Sequence, residues 1–192
     1  MPANGSSALI EALLAPRFAE RPAVQAGKLV LSYAQLRSQV ASMTARLRAA
    51  GVKPGDRVLL LVPNSIEHIA AVLAVIARGA IAIPLDPASG SGRLDDAAQQ
   101  TRPHCCLATG HAPVPTGFKT LRLHIDPVSG ADASFSDVTV IDSKATGSLD
   151  DLAAFIRFTS GYRGQSKGLV LTQSRKLWIA RRLARAFWMD DI

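Results

Sequence analysis

A strand, a helix and a second strand follow one another closely in the middle of the chain. Residues 57–62 form a near-continuous apolar run, which is typical of a strand buried on both faces. Asn64 or Ser65 can cap the helix that follows, Gly79 ends it, and residues 80–83 form the next strand. Such short connections predict a right-handed parallel βαβ unit, and therefore an α/β fold with a layered, mainly parallel sheet flanked by helices. The helix is expected to turn four apolar side chains inward: Ile69, Val72, Leu73 and Ile76.

The rest of the pattern extends this unit in both directions. Upstream, the sequence predicts a short helix, a hairpin and a long helix, at residues 6–15, at residues 23–25 with 29–31, and at residues 32–50. Downstream, it predicts a helix at residues 93–101 and three strands at residues 104–108, 120–124 and 138–141. A hairpin of residues 155–159 and 169–172 follows, and then a last helix at residues 174–189. We treat residues 1–192 as one unit. Residues 1–141 form its α/β part, and residues 142–192 supply a polar linker, the hairpin and the final helix.

Composition excludes several classes of protein. Hydrophobic residues make up 48% of the 192 residues and charged ones 19%, which suffices for a core and argues against disorder. No apolar run approaches the roughly 18 residues of a membrane span, and the first residues lack the pattern of a secretory signal. Cys105 and Cys106 are neighbours that would point to opposite sides of a strand, so they suit neither a disulfide nor a metal site. We expect a reduced, cytoplasmic protein.

The net charge of +7 is concentrated near the end of the chain. Residues 152–189 hold eight basic residues and no acidic one, whereas the rest holds 14 basic and 15 acidic residues. A basic segment can face nucleic acid, an anionic membrane, a polyphosphate or another part of a larger protein. The last helix carries an arginine stripe, which is typical of a solvated or partner-facing surface, so we expect no nucleic-acid partner. Its apolar side has no evident partner, which suggests self-association or a missing C-terminal portion.

A glycine-rich loop separates the two strands of the predicted hairpin. It holds Gly161, Gly164 and Gly168, with Lys167 beside the last of them. Glycines let backbone N–H groups converge on an anion, and a lysine adds a positive charge. The common P-loop pattern does not fit, because Gly168 follows the lysine and a strand rather than a helix comes next. The sequence therefore predicts a phosphate loop at the tip of a hairpin.

The loop resembles the phosphate-binding signature of the AMP-forming (adenylate-forming) synthetases and ligases. The matching pattern is Thr159-Ser160-Gly161-x-x-Gly164-x-x-Lys167-Gly168. Upstream motifs resemble the same superfamily in the same order, and they are residues 31–36, 50–58, 63–65, 79–80 and 84–87. The resemblance runs from about Leu29 to Leu171. The superfamily includes acyl-CoA synthetases, fatty-acyl-AMP ligases and adenylation domains of peptide synthetases.

This resemblance implies a reaction and a set of binding residues. Family members join a carboxylic acid to ATP, with Mg²⁺, to give acyl-AMP and pyrophosphate, and most pass the acyl group to a thiol of CoA or a carrier protein. The residues that would hold the β- and γ-phosphates are Thr159, Ser160, Gly161, Gly164, Lys167 and Gly168. Tyr162 and Arg163 replace small hydroxyl residues of the family pattern, and Arg163 either pairs with a phosphate or blocks the loop. Gln173 stands where the family often has a histidine that borders the acyl pocket.

The resemblance also implies what the chain lacks. The adenine-stacking motif, the metal-binding acid, the ribose-binding aspartate and the catalytic lysine of the family all lie beyond residue 192, so we expect no catalytic residue and no metal ligand here. The chain alone should not form acyl-AMP. The first hypothesis is the N-terminal part of an adenylate-forming ligase. The alternative is a degenerate, non-catalytic member that acts as an interaction subunit, and it is favoured by Tyr162, Arg163 and Gln173.

Overall fold

The computed structural model describes residues 8–110, 112–124, 134–139, 153–159 and 167–186. Five α-helices in these ranges are α1 (Ala8–Leu13), α2 (Tyr33–Ala49), α3 (Ile66–Ala77), α4 (Ser91–Thr101) and α5 (Gln173–Ala186). Nine strands in the same ranges are β1 (Pro22–Ala26), β2 (Leu29–Ser32), β3 (Arg57–Leu61), β4 (Ile81–Pro84), β5 (Cys105–Thr109), β6 (Lys119–His124), β7 (Ser134–Thr139), β8 (Ala153–Thr159) and β9 (Lys167–Thr172). Two short 3₁₀ helices are Pro16–Phe18 and Pro87–Ser89. Within the described ranges, every helix falls short of the length and apolar character that a membrane span requires.

Seven strands form one sheet in the order β7-β6-β5-β3-β4-β8-β9, and β1 and β2 form a separate hairpin. β3 is parallel to β4 and β5, β5 to β6, and β4 to β8. The β6–β7 and β8–β9 pairs are antiparallel. The predicted parallel neighbours are confirmed, because Arg57 pairs with Ile81 and Leu60 with Pro84. The fold is the predicted α/β sheet of mostly parallel strands flanked by helices.

Alternation along β3 divides the core into two layers. Val58 and Leu60 face a cluster that includes residues of α1, α2 and α3, while Leu59 and Leu61 face a second cluster with residues of α4. All four side chains are fully buried, as the continuous apolar run predicts for a central strand. The adjacent cysteines also divide between the layers, with Cys105 in the first cluster and Cys106 in the second. The prediction that they point to opposite sides of a strand is confirmed.

Serine side chains cap the N-termini of α2 and α3, the two long helices of the first layer. At α2, the Ser32 hydroxyl accepts from the Gln35 amide (3.3 Å) and the Gln35 side chain accepts from the Ser32 amide (2.8 Å), which forms a capping box. At α3, the Ser65 hydroxyl accepts from the His68 amide at 3.2 Å. Both starts fall within a residue or two of those that the sequence predicts. The caps therefore fix where each helix leaves the preceding strand or turn.

Packing differs from the sequence prediction at one face of α3. The sequence predicts that Ile69 points inward, but its side chain is 37% exposed. The helix buries three alanines instead, Ala70, Ala71 and Ala74, which are each 1% exposed or less. Because nearly every face of α3 is apolar, periodicity alone does not choose one, and small side chains allow the helix to approach the sheet more closely.

Several strands begin or end at residues other than those that the sequence predicts. β7 is Ser134–Thr139 rather than residues 138–141, and β8 begins two residues earlier than predicted. β9 begins at Lys167, so the lysine lies in the strand and not inside the loop, where the sequence pattern places it. The predicted polar linker, residues 142–151, lies outside the described residues.

Candidate functional site

The β8–β9 hairpin places both ends of the predicted phosphate loop, Thr159 and Lys167, at one edge of the sheet. β8 runs parallel to β4, with Ala82 paired with Phe155, so its carboxyl end lies at the same edge as those of β3, β4 and β5. Thr159, the last residue of β8, pairs with Lys167, the first residue of β9. The segment 160–166 therefore begins and ends at this edge. Open α/β sheets bind ligands outside the carboxyl ends of their strands.

Buried residues on both faces of β8 hold the hairpin in place. Ala154 belongs to the first core cluster, and Ala153 and Ile156 belong to the second. Phe155 and Phe158 are partly buried, against the first and the second cluster respectively. A register irregularity between Ala153 and Phe155 accompanies this change of sides. The base of the loop is thus fixed by the core on both sides of the strand.

Lys167 and Gly168 have different structural roles at the base of the loop. Lys167 is exposed and lies opposite Thr159, at the edge of the sheet where β9 begins. Gly168 pairs with Phe158, and a Cβ added to it would lie 3.2 Å from Ile156 Cγ2 and 3.6 Å from the Phe158 ring. The sequence motif predicts a phosphate-binding role for this glycine. The structure adds a steric reason for a glycine at this position, because two side chains of β8 approach it closely.

Gln173 lies at the other end of the hairpin from Lys167. It is the first residue of α5 and follows Thr172, which is opposite Ala153 at the start of β8. The extended strand β9 separates it from Lys167 by roughly 20 Å. The structure therefore does not bring these two residues together, and a role for Gln173 at an acyl pocket stays a prediction.

The other predicted loop residues lie outside the described ranges. They are Ser160, Gly161, Arg163 and Gly164, together with Tyr162, which departs from the family pattern. Their contacts with a phosphate stay predictions. Of the seven residues predicted to bind nucleotide, the structure positions Thr159, Lys167 and Gly168.

The basic segment is partly structural. Lys176 lies 4.6 Å from the centre of the Phe155 ring, and burial, with Arg157 nearby, lowers its pKa. Arg175 and Arg182 lie 4.8 and 5.2 Å from the Trp178 ring. The sequence shows no evident partner for the apolar side of α5, but Leu177 packs against the first core cluster and α5 contacts α1.

Two histidine side chains, His68 and His104, contact the backbone near the ends of β3. His104 Nδ1 accepts from the Arg57 amide at 3.1 Å, and its Nε2 lies 3.3 Å from Asp56 Oδ1. His68 Nδ1 lies 2.9 Å from the Val62 carbonyl oxygen. The His104 contacts join residues distant in sequence, which spacing alone does not reveal. Across the described ranges, no three His, Cys, Asp or Glu side chains are grouped as metal ligands.

Comparison with known proteins decides the family. The sequence model of the AMP-binding enzyme family matches residues 14–191, nearly the whole chain. The chain belongs to the AMP-binding enzyme family. The family expected from the phosphate-loop motif and the upstream motifs is therefore confirmed.

Relatives of this AMP-binding chain include synthetases of two kinds. It is 34% identical over 174 residues to a phenyloxazoline synthase, MbtB, of Mycolicibacterium paratuberculosis, and the match covers 90% of this chain and 14% of that protein. It is 33% identical over 160 residues to a feruloyl-CoA synthase of an Amycolatopsis species, and that match covers 81% of this chain and 31% of that protein. The chain therefore spans less than a third of either relative.

Solved structures of the family share the fold. The nonribosomal peptide synthetase FmoA3, in its AMPPNP-bound form, is 26% identical, with a TM-score of 0.71 over 96% of this chain and 19% of that chain. The N-terminal subdomain of Klebsiella oxytoca NpsA, 20% identical, has a TM-score of 0.68 over 88% of this chain and 42% of that chain. The chain thus shares its fold with the N-terminal subdomain of NpsA and with part of FmoA3. The alternative, a non-catalytic interaction subunit, gains no support from these relatives.

Proposed function

We propose that this chain supplies the phosphate-binding hairpin of an enzyme that activates a carboxylic acid with ATP. In that reaction a carboxylate oxygen attacks the α-phosphorus, acyl-AMP forms and pyrophosphate leaves. The acyl group then passes to a thiol of CoA or of a carrier protein. The observation that carries the proposal is the β8–β9 hairpin, which opens at the carboxyl edge of the sheet in a chain that the AMP-binding family matches over residues 14–191.

The hairpin residues are suited to the departing pyrophosphate. Lys167 brings a positive charge to the edge of the sheet, and residues 160–166 lie between it and Thr159. In the proposed complex the backbone of Ser160, Gly161 and Gly164 donates to phosphate oxygens, and Arg163 pairs with a phosphate. Fixed donors of this kind stabilise the negative charge that develops on the leaving group. The FmoA3 structure with AMPPNP supports ATP as the nucleotide.

Mg²⁺ is proposed to arrive with ATP. The described residues offer no grouped set of metal-ligating side chains, so we assign no protein ligand for it in this chain. When bound to the phosphates, the ion neutralises part of their charge. The acid-binding and adenine-binding groups are proposed to come from the part of the relatives that this chain does not span.

Binding of a fluorescent ATP analogue tests the role of the hairpin. The assay titrates the chain with mant-ATP and Mg²⁺ and compares Lys167→Ala with Lys28→Ala, which removes an exposed lysine from the turn of the β1–β2 hairpin. Loss of a charge-assisted hydrogen bond should weaken binding at least about tenfold for Lys167→Ala and leave Lys28→Ala unchanged. Equal affinities for the two variants would refute the role of Lys167.

Two further measurements test whether Arg163 binds a phosphate or blocks the loop, and whether the protein activates a carboxylic acid. Arg163→Thr should weaken mant-ATP binding if the guanidinium pairs with a phosphate, and tighter binding would mean that it blocks the loop instead.

Acid-dependent exchange of labelled pyrophosphate into ATP, measured on the protein with its complete ligase sequence, tests activation directly. No exchange with any of a broad panel of carboxylic acids would favour the non-catalytic alternative.

A further inference from the structure

A group of hydrogen bonds joins the amino ends of two central strands, β3 and β5. The His104 amide donates to the Arg57 carbonyl oxygen at 2.7 Å, and the Arg57 amide donates to Nδ1 of the His104 ring at 3.1 Å. The ring therefore extends the hydrogen bonding between these strands beyond their first paired residues, Val58 and Cys105. This end of the sheet is opposite the carboxyl edge, where the segment 160–166 begins and ends.

The partners of the His104 ring determine where its proton lies. A backbone amide only donates, so Nδ1 of His104 accepts from Arg57 and carries no proton. Nε2 lies 3.3 Å from Asp56 Oδ1, and an ionised carboxylate only accepts, so Nε2 carries the proton. The other carboxylate oxygen of Asp56 accepts from the Lys53 amide at 2.8 Å, which holds the carboxylate in place. His104 is therefore neutral and in the Nε2–H tautomer.

His68, near the carboxyl end of β3, has the opposite arrangement. Its Nδ1 lies 2.9 Å from the Val62 carbonyl oxygen, which only accepts, so Nδ1 is the donor. Protonation of His68 adds a proton at Nε2 and leaves that bond intact. Protonation of His104 adds a proton at Nδ1, where it faces the N–H of Arg57, so the bond to this amide is lost. Acid therefore acts differently on the two ends of β3.

The charged and titratable groups around the His104 ring come from the turn before β3, the end of α4 and three strands. They are Asp56, Arg57, Arg102, Cys105 and Lys119. Asp56 favours the protonated ring and Arg57 opposes it. The Arg57 side chain is buried, and its Nε donates to the Arg102 carbonyl oxygen at 3.2 Å, which keeps the guanidinium near the ring. The Cys105 thiol stays neutral, because burial raises its pKa to about 12.

We propose that the contact between the His104 ring and the Arg57 amide is a pH switch, which is closed while the ring is neutral and is released when Nδ1 takes up a proton. The His104 side chain is 31% exposed, so water can deliver that proton. Burial, with Arg57 and against Asp56, lowers the pKa of His104 below 6.5. The contact is therefore closed at neutral pH and opens only as the pH falls below 6.5. Its release loosens the amino ends of β3 and β5 and leaves the His68 contact in place.

Nuclear magnetic resonance tests the tautomers first. Long-range ¹H–¹⁵N correlations of the ¹⁵N-labelled 192-residue chain, at about pH 7.5, should show the Nε2–H tautomer for His104 and the Nδ1–H tautomer for His68. Each histidine signal is assigned by its absence from the spectrum of His104→Asn or His68→Asn.

Hydrogen exchange tests the release. The protection factor of the Arg57 amide should fall at least about tenfold as His104 is protonated between about pH 7.5 and about pH 5, because the amide loses its acceptor. The amide of Leu59, in the middle of β3, should change by less than about twofold, because only the end of the strand is released.

Three variants test the role of the ring. In His104→Asn, the side-chain oxygen can accept from the Arg57 amide and does not titrate, so the protection of this amide should stay high throughout. In His104→Leu the acceptor is missing, so the protection should be low at every pH. His68→Asn, the matched control, should leave the pH dependence at Arg57 unchanged.

Several results would overturn the proposal. An Nδ1–H tautomer of His104 at neutral pH would do so, and this result does not depend on the folding of His104→Leu. Constant protection of Arg57 while His104 titrates would exclude the release, and an equal acid-dependent loss in His104→Asn would exclude the histidine as its cause. A parallel loss of protection at Leu59 would mean that acid unfolds the whole chain rather than the end of β3.

Discussion

Replacing Gly79 by alanine should destabilise the βαβ unit more than a similar change at the neighbouring turn. Gly79 has φ +77°, in the left-handed region that glycine favours, at the end of α3. Its amide donates to the Ile76 carbonyl oxygen and its own carbonyl oxygen accepts from the Gly55 amide, each at 2.8 Å. These two bonds join the end of α3 to the turn before β3, so the backbone has little freedom to move away.

The expected magnitude has two parts. A residue with a Cβ in the left-handed conformation costs about 1 kcal/mol or slightly more. A Cβ added at Gly79 would also lie 3.2 Å from Pro54 Cβ, which is closer than ordinary van der Waals contact, so one of the two turns must shift. Overpacking of this kind costs about 1 kcal/mol or more, and we expect a total loss of about 2–3 kcal/mol in the free energy of unfolding.

Gly55→Ala is the matched control. Gly55 has φ +83°, but nothing lies within 4 Å of the position of an added Cβ. Only the backbone part applies there, so the expected loss is about 1 kcal/mol. Urea unfolding followed by circular dichroism, with equal m values, gives both numbers. Equal losses for the two variants would refute the contribution of the Pro54 contact, and no loss for Gly79→Ala would refute the backbone argument too.

Three further predictions concern residues that the structure describes in detail. Ser32→Ala should lower the stability of the chain by about 1 kcal/mol in urea unfolding, because it removes the side-chain cap of α2. Burial raises the pKa of the Cys105 and Cys106 thiols to about 12. A thiol reagent should therefore label the native chain roughly a thousandfold more slowly than it labels a free cysteine. Rapid labelling would contradict the burial of these two thiols. Burial, opposed by Asp56, lowers the pKa of His104 below its ordinary 6.5, so protonation of this histidine favours the unfolded chain. The stability that neutral His104 contributes should be complete above pH 6.5 and be lost as the pH falls. His104→Asn should remove that part of the pH dependence in urea unfolding.

Much of the fold can be predicted from the sequence because its signals are local. The buried character of β3 follows from five consecutive apolar residues, 58–62, and the start of α2 follows from Ser32 with Gln35 three residues later. Short connections then require β3 and β4 to be parallel neighbours, as the structure shows. The family could also be predicted, because several short motifs occur in a fixed order along almost the whole chain.

Less of the candidate site could be predicted. The sequence places Lys167 and Gly168 near each other, but the reason that position 168 is glycine includes the side chains of Ile156 and Phe158 on the facing strand. Likewise, Gln173 is only six residues from Lys167 in the sequence, while the extended strand β9 places it at the opposite end of the hairpin. These differences arise because strand pairing determines distances that sequence separation does not.

The elements, their order and the family can be predicted from the amino-acid sequence, because caps, turn glycines and apolar runs act over a few residues of chain. The buried face of α3, the edge at which the hairpin ends, and a cavity lined by Arg37, Arg48 and Arg78 are known only from the folded chain. These features depend on close packing and on charges brought together by strand and helix pairing. Residues far apart in the chain meet there, and no local pattern records which of them will meet.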